Sequence, residues 1–183
     1  MKMTILNGEP SAGSEFDVYV HAFEEGARSA GHEVGLLELR DLDLKGCSGC
    51  FGCWVKTPGE CVKRDDSALV CRAAIGSDLL VLASPVVMGF TSALLKRAAD
   101  QMIPLILPYI VIEGGEMHHR ARYHHYPLLA LLLGPDAATD AEDLSITERM
   151  WARMARNIKS RLAFTAVADR SPEEVAHELA AVA

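Results

Sequence analysis

Short apolar runs alternate along this chain with stretches in which apolar residues return every three or four positions. The first kind reads as a strand buried on both faces, the second as a helix with one buried stripe. A first strand covers residues 3–6 and leads into a loop at 7–13. Ser14 then caps a helix in which Phe16, Val20, Phe23, Ala27 and Ala30 recur at spacings of 4, 3, 4 and 3, and Gly31 stops it. A second strand lies at 33–39, and Asp65 or Asp66 opens a short helix that ends at Gly76-Ser77. Residues 79–83 are continuously apolar, as a central parallel strand requires, and run into Ser84-Pro85. Thr91 or Ser92 caps a helix to residue 102 with Leu94, Leu95, Ala98 and Met102 on one face, and Pro104 closes it. The fourth strand, 128–133, meets Gly134-Pro135; a long helix follows with Ile146, Met150, Met154 and Ile158 stacked at four-residue spacing. A fifth strand at 163–168 precedes a last helix opened by Ser171-Pro172-Glu173-Glu174, a capping box with proline at its first position.

This alternation predicts an α/β fold in one doubly wound domain over residues 1–183, with a five-stranded parallel sheet in the order 2-1-3-4-5 and helices on both faces. No repeat or low-complexity linker divides the chain. In that order the crevice opens between the first and third strands, faced by the loops 7–13 and 84–91 with 134–138 close by. Topology of this kind says where a ligand binds, not which ligand. The segment 104–126 reads as an irregular His- and Arg-rich excursion, either a solvated lid or a subunit contact.

Composition narrows the picture. With 50% hydrophobic and 23% charged residues the chain is neither disordered nor fibrous, and its 183 residues suffice for one well-buried core. A net charge of −7 argues against a nucleic-acid partner, which demands a basic face. The most apolar stretch, 102–112, is broken by Pro104 and Pro108 and is shorter than the roughly 20 residues of a membrane span, so it reads as a buried or interface segment. The opening residues carry no secretory pattern, and the expected location is cytoplasmic.

All five cysteines fall between positions 47 and 71. In a reducing compartment such crowding points to metal, cluster or redox chemistry rather than a disulfide framework. Cys47, Cys50, Cys53 and Cys61 follow C-x2-C-x2-C-x7-C, a spacing at which one loop can supply several thiolates to an iron-sulfur cluster. Four thiolates would also satisfy a tetrahedral zinc, and reduced cysteines lining a loop or a redox disulfide are the remaining alternatives. Cys71, on the second helix, reads as a small buried side chain.

Three local sequences carry a resemblance. They are the segment 46–66 with its four cysteines and Trp54, the stretch Ser84-Pro85-Val86-Val87 with Lys96 and Asp100, and the first strand and loop at 3–13. Together they resemble the flavodoxin-like NAD(P)H-dependent FMN reductases and the iron-sulfur flavoproteins grouped with them. The likeness covers most of the chain, and the cysteine segment is its most specific part. It implies FMN in the crevice, with the phosphate on Gly8, Pro10, Ser11, Gly13 and Ser14 and the ring against Ser84, Pro85, Val86, Val87, Met88 and Gly89, near Gly134. A helix N-terminus with glycines and hydroxyls suits a phosphate. It further implies NAD(P)H as substrate, a small-molecule electron acceptor such as a quinone, flavin or metal ion, and a homodimer or homotetramer. In the iron-sulfur members Cys47, Cys50, Cys53 and Cys61 would be the ligands of a [4Fe-4S] cluster.

Two departures stand out. The first loop reads Glu9-Pro10-Ser11-Ala12-Gly13-Ser14-Glu15, where the family carries an arginine, then asparagine followed by serine or threonine. Val87 replaces a tyrosine that often packs on the flavin. Three readings follow: an FMN-dependent oxidoreductase, an iron-sulfur electron carrier, and a flavodoxin-like binding module that has lost FMN. Phe51, Trp54 and Phe90 would wall a flavin or an interface. His118, His119, His124 and His125, around Arg120, Arg122 and Tyr123, read as a metal or nucleotide-phosphate site or as the excursion's solvated face. No Ser-His-Asp order supports hydrolysis.

Overall fold

A computed structural model describes residues 1–180. The central sheet is built from β1 (Lys2–Asn7), β2 (Glu33–Glu38), β3 (Leu79–Val87), a two-residue β4 (Phe90–Thr91), β7 (Leu128–Gly134) and β8 (Leu162–Val167), and a separate hairpin pairs β5 (Ile106–Glu113) with β6 (Glu116–Ala121). The helices are α1 (Glu15–Ser29), α2 (Gly52–Val55), α3 (Ser67–Ile75), α4 (Ala93–Asp100), α5 (Ala141–Asn157) and α6 (Pro172–Ala180). The parallel strands run in the order β2-β1-β3-β7-β8, which is the expected 2-1-3-4-5, and β4 adds a short antiparallel pair at the end of β3.

The sheet separates two cores. On one face Phe16, Val20, Phe23 and Ala27 of α1 and Val175, Ala176 and Leu179 of α6 cover Met3, Ile5, Val81 and Leu132. On the other, α3, α4 and α5 bring Val70, Leu95, Ala98, Trp151 and Ala155 over Leu6, Leu80, Leu82, Leu129 and Leu131. Adjacent residues of each strand thus enter opposite cores, which explains why the strands are apolar without alternation. Ser14 and Ser92 cap their helices as expected, accepting the backbone N–H groups of Asp17 at 3.1 Å and Leu95 at 3.2 Å.

Two expectations change. Residues 106–121 are not irregular: they form an antiparallel hairpin whose turn, Gly114-Gly115, has positive φ at both residues, +60° and +82°. That conformation matches the twist of paired strands, and glycine adopts it freely. In α5 the buried stripe is Thr147, Trp151 and Ala155, ending at Ile158, while Ile146 and Met150 are exposed. Packing the Trp151 indole against the sheet selects one of two adjacent apolar stripes. Among the described residues no helix is long and apolar enough to cross a membrane.

Candidate functional site

A cleft opens at the carboxyl ends of β1, β3, β7 and β8, where a doubly wound sheet presents its ligand crevice. Phe16 and Tyr19 of α1 form one wall; Pro85, Val86, Gly134 and Pro135 form the other. Ser14, Glu9, Glu15 and Asp136 complete the lining, and no lysine, arginine or histidine is among the described residues that face it. Gly134 is required there, since a Cβ would overlap the Phe16 ring. The buried Tyr19 hydroxyl has no partner among the described residues. Its pKa is pushed up to about 12, first by burial and then by the charge of Asp169, so it stays a donor at neutral pH.

The loop before α1 is internally bonded. Glu9 is only 5% exposed. Its Oε1 accepts the Ser11 N–H at 2.8 Å, Asp17 Oδ2 accepts the Gly13 N–H at 2.8 Å, and the Ser14 N–H donates to the Ser11 carbonyl at 3.2 Å. Beneath the loop, Asn7 Nδ2 donates to Asp17 Oδ1 and Glu38 Oε2, each at 2.8 Å, and Arg40 reaches the same two oxygens at 2.7 and 2.9 Å. Burial raises the Asp17 pKa, but the Gly13 N–H, the Arg40 guanidinium and the Asn7 amide outweigh it and hold the carboxyl below its ordinary value. Asp17, His21 and Glu38 place ligand atoms within 4.8 Å of one another, yet Arg40 already bridges Asp17 and Glu38.

The loop departs from an ordinary seat for an FMN phosphate. Phosphate binding at a helix N-terminus relies on free backbone N–H groups and positive potential. Here the N–H groups of Ser11, Gly13 and Ser14 are engaged by the chain itself, the cleft lining is acidic, and the Arg40 guanidinium, which also donates to the Glu9 carbonyl at 3.3 Å, is already paired with Asp17 and Glu38. Several residues expected at the phosphate or ring have other roles. Gly8 is packed beneath the loop, where a Cβ would meet Leu95 and Ser92, and its N–H donates to the Ala83 carbonyl at 2.8 Å. Ser84 is buried and accepts the Ser92 N–H at 2.8 Å, joining β3 to the start of α4. Pro10, Ser11 and Gly13 are exposed on the loop. Val87, Met88 and Gly89 form the turn between β3 and β4, outside the cleft lining, with Met88 99% exposed at φ +51°. Only Ser14, Pro85, Val86 and Gly134 of the expected residues reach the cleft.

The second constellation is the cysteine loop. Cys47, Cys50, Cys53 and Cys61 line one pocket with Lys63, Gln101 and Pro104. Cys47 and Cys50 are exposed, Cys53 is buried and Cys61 lies between. The Gly52 N–H, then the Ser48 hydroxyl, hold the Cys50 thiol below its ordinary pKa; burial raises that of Cys53, with the neighbouring Cys61, Cys47 and Cys50 adding to the shift. No three of these sulfurs lie within 4.8 Å of one another among the described residues. Thiolates about 2.3 Å from a single zinc would stand roughly 3.8 Å apart, so the four thiols are not gathered as a ready zinc site. Cys71 is buried as expected, its pKa pushed up to about 12 by burial first and then by nearby Cys61.

The loop is braced from several sides. Phe51 stacks on Trp54, Trp54 packs on His119, and the Trp54 indole N–H donates to the Ile106 carbonyl at 2.9 Å. These aromatics therefore join the cysteine loop to the hairpin rather than wall the cleft. The His and Arg residues of the hairpin do not converge on a phosphate or metal site. His119 Nδ1 lies 2.9 Å from the Leu107 carbonyl, His118 pairs with Glu116 at 3.1 Å, and Arg122 donates to the Pro104 carbonyl at 2.8 Å. The cleft residues outside the segments that sequence reasoning placed at the crevice are Phe16, Tyr19 and Ala168. Phe16 belongs to the apolar stripe of α1, so periodicity assigned it wholly to the core.

Comparison with known proteins supports the same fold. Residues 1–140 match the family described as NADPH-dependent FMN reductase. An iron-sulfur flavoprotein of Archaeoglobus fulgidus is 27% identical over 101 residues, which cover 55% of this chain and 48% of that protein. The chain thus spans about half the length of the curated relatives it matches. Among solved structures, an FMN-dependent NADH-azoreductase from Bacillus anthracis in complex with FMN superposes with a TM-score of 0.69 at 12% identity, covering 98% of this chain and 99% of the other. An NAD(P)H:quinone oxidoreductase from Methanothermobacter marburgensis gives 0.66 at 18% identity, covering 98% and 95%. Likeness at this identity speaks for the flavodoxin-like fold, and the sequence match goes further: the chain belongs to the NADPH-dependent FMN reductase family.

Proposed function

We propose that this chain is a flavin-dependent oxidoreductase that takes reducing equivalents from NAD(P)H and passes them to a small acceptor such as a quinone, another flavin or a metal ion. The observation that carries the reading is the family match over residues 1–140, which include every residue lining the cleft except Ala168. A bound flavin supplies the redox chemistry. The chain's own part is to offer an apolar slot between Phe16 and the Pro85-Val86 and Gly134-Pro135 edges. Purified protein supplied with FMN or riboflavin, NADH or NADPH, and a quinone is expected to consume reduced nicotinamide. No consumption with either flavin removes the reading.

A second reading rests on a separate observation, the convergence of four cysteines on one pocket. We propose that Cys47, Cys50, Cys53 and Cys61 hold an iron-sulfur cluster that relays single electrons. Lys63, which lines the pocket beside the four thiols, is the kind of neighbour that stabilises cluster thiolates. Iron and sulfide analysis of protein prepared without oxygen tests this; absence of both after reconstitution ends it. Assembly as a homodimer or homotetramer accompanies the family reading. Exposed Tyr109, Ile110, Ile112 and Met117 on the hairpin offer a surface for it, and light scattering measures the outcome.

A further inference from the structure

We infer that the cleft selects a flavin whose side chain ends in hydroxyls rather than in phosphate, and that the Glu9 carboxylate holds the place of the missing phosphate. The inference rests on the flavin reading above and narrows it. Glu9 is buried within the loop, yet its carboxylate lines the cleft while Oε1 accepts the Ser11 N–H at 2.8 Å. Asp17 Oδ2 takes the Gly13 N–H in the same way. Two of the loop donors that would grip an external anion, the Ser11 and Gly13 N–H groups, are therefore bonded to internal ones, and a phosphate seated on them would have to displace a buried carboxylate from its hydrogen bond.

Charge acts in the same direction. Glu9, Glu15 and Asp136 face the cleft without a cation among the described lining residues. The two nearby guanidinium groups are paired: Arg40 with Asp17 and Glu38, and Arg170 with Glu178 through contacts of 2.9 and 2.5 Å. A phosphate carries strong acceptors and nearly two negative charges at neutral pH. It finds few free donors here and meets repulsion.

A ribityl hydroxyl is the complementary group, because it donates and accepts at once. It can donate to a carboxylate oxygen of Glu9.

The test is a fluorescence titration of the full chain with riboflavin and with FMN, repeated on Glu9→Ser and Glu9→Gln. Wild type is expected to bind riboflavin about tenfold or more tightly than FMN, and Glu9→Ser to move that ratio about tenfold or more toward FMN. Glu9→Gln keeps an oxygen to accept the Ser11 N–H and removes the charge, so it is expected to move the ratio in the same direction by less. Its retained acceptor guards against a folding defect in the serine variant, and thermal unfolding of both verifies folding. Wild type binding FMN as tightly as riboflavin, or variants leaving the ratio unchanged, overturns the assignment while the flavin reading stands. Neither flavin binding to any of the three proteins overturns both.

Discussion

The loop at residues 8–14 and the loop at 46–66 differ in what completes their hydrogen bonds. In the first, backbone N–H groups are matched by the Glu9 and Asp17 carboxylates, and that of Asp17 is fixed by Asn7 and Arg40. In the second, Trp54 donates to the Ile106 carbonyl, Lys63 to that of Gly46 and Gln101 to that of Lys45, so the frame is braced while Cys47 and Cys50 stay exposed. A loop that satisfies itself presents a finished shape and charge to its ligand. A loop that braces its backbone and leaves its thiols open has the arrangement that the proposed cluster requires.

Removing one thiol should produce the largest effect. Cys53→Ala is expected to reduce the iron and sulfide content of anaerobically prepared protein to background, whereas Cys71→Ala, outside that pocket, should leave it unchanged. Equal iron in both variants would erase the contrast between the loops. On the closed side, Arg40→Met removes the guanidinium partner of the partly buried Asp17 and Glu38, leaving them Asn7 and the Gly13 N–H, and should cost about 1–3 kcal/mol by denaturant unfolding. The pH dependence has a defined sign. Because the folded pKa of Asp17 lies below its ordinary 3.8, its stabilisation is complete above 3.8 and is lost as pH falls through the lower folded value. Asp17→Asn should therefore flatten the acid limb of the stability profile below 3.8.

Smaller effects sharpen the cleft itself. Gly134→Ala drives a methyl into the Phe16 ring and should cost about 1–3 kcal/mol, read as a lowered denaturation midpoint. Ser14→Ala removes the acceptor for the Asp17 N–H at the start of α1 and should cost about 1 kcal/mol in the same measurement. A cost much larger than that would mean the cap also holds the loop that Glu9 and Asp17 close.

The sheet order and most helices were legible because they rest on short-range rules. Continuous apolar runs mark doubly covered strands, Ser14 and Ser92 mark helix starts, and right-handed crossovers leave few ways to order the strands. The hairpin was legible in part: Gly114-Gly115 is a two-residue turn signal, but the surrounding prolines, histidines and arginines obscured the strands. In α5 the stripe of Ile146, Met150 and Met154 is the more apolar by sequence, yet packing of Trp151 buried the neighbouring stripe with Thr147 and Ala155.

The sequence by itself determined the fold class, the location of the crevice and the presence of a four-thiol segment, because periodicity, capping and spacing are local properties. Tertiary structure alone decided that Glu9 turns inward to occupy the loop, that Arg40 is held by Asp17 and Glu38, and that Gly8 and Ser84 support the site from behind. Each of those roles depends on partners far apart along the chain, such as Arg40 reaching Asp17 and Ser92 reaching Gly8, whose positions exist only once the sheet has formed.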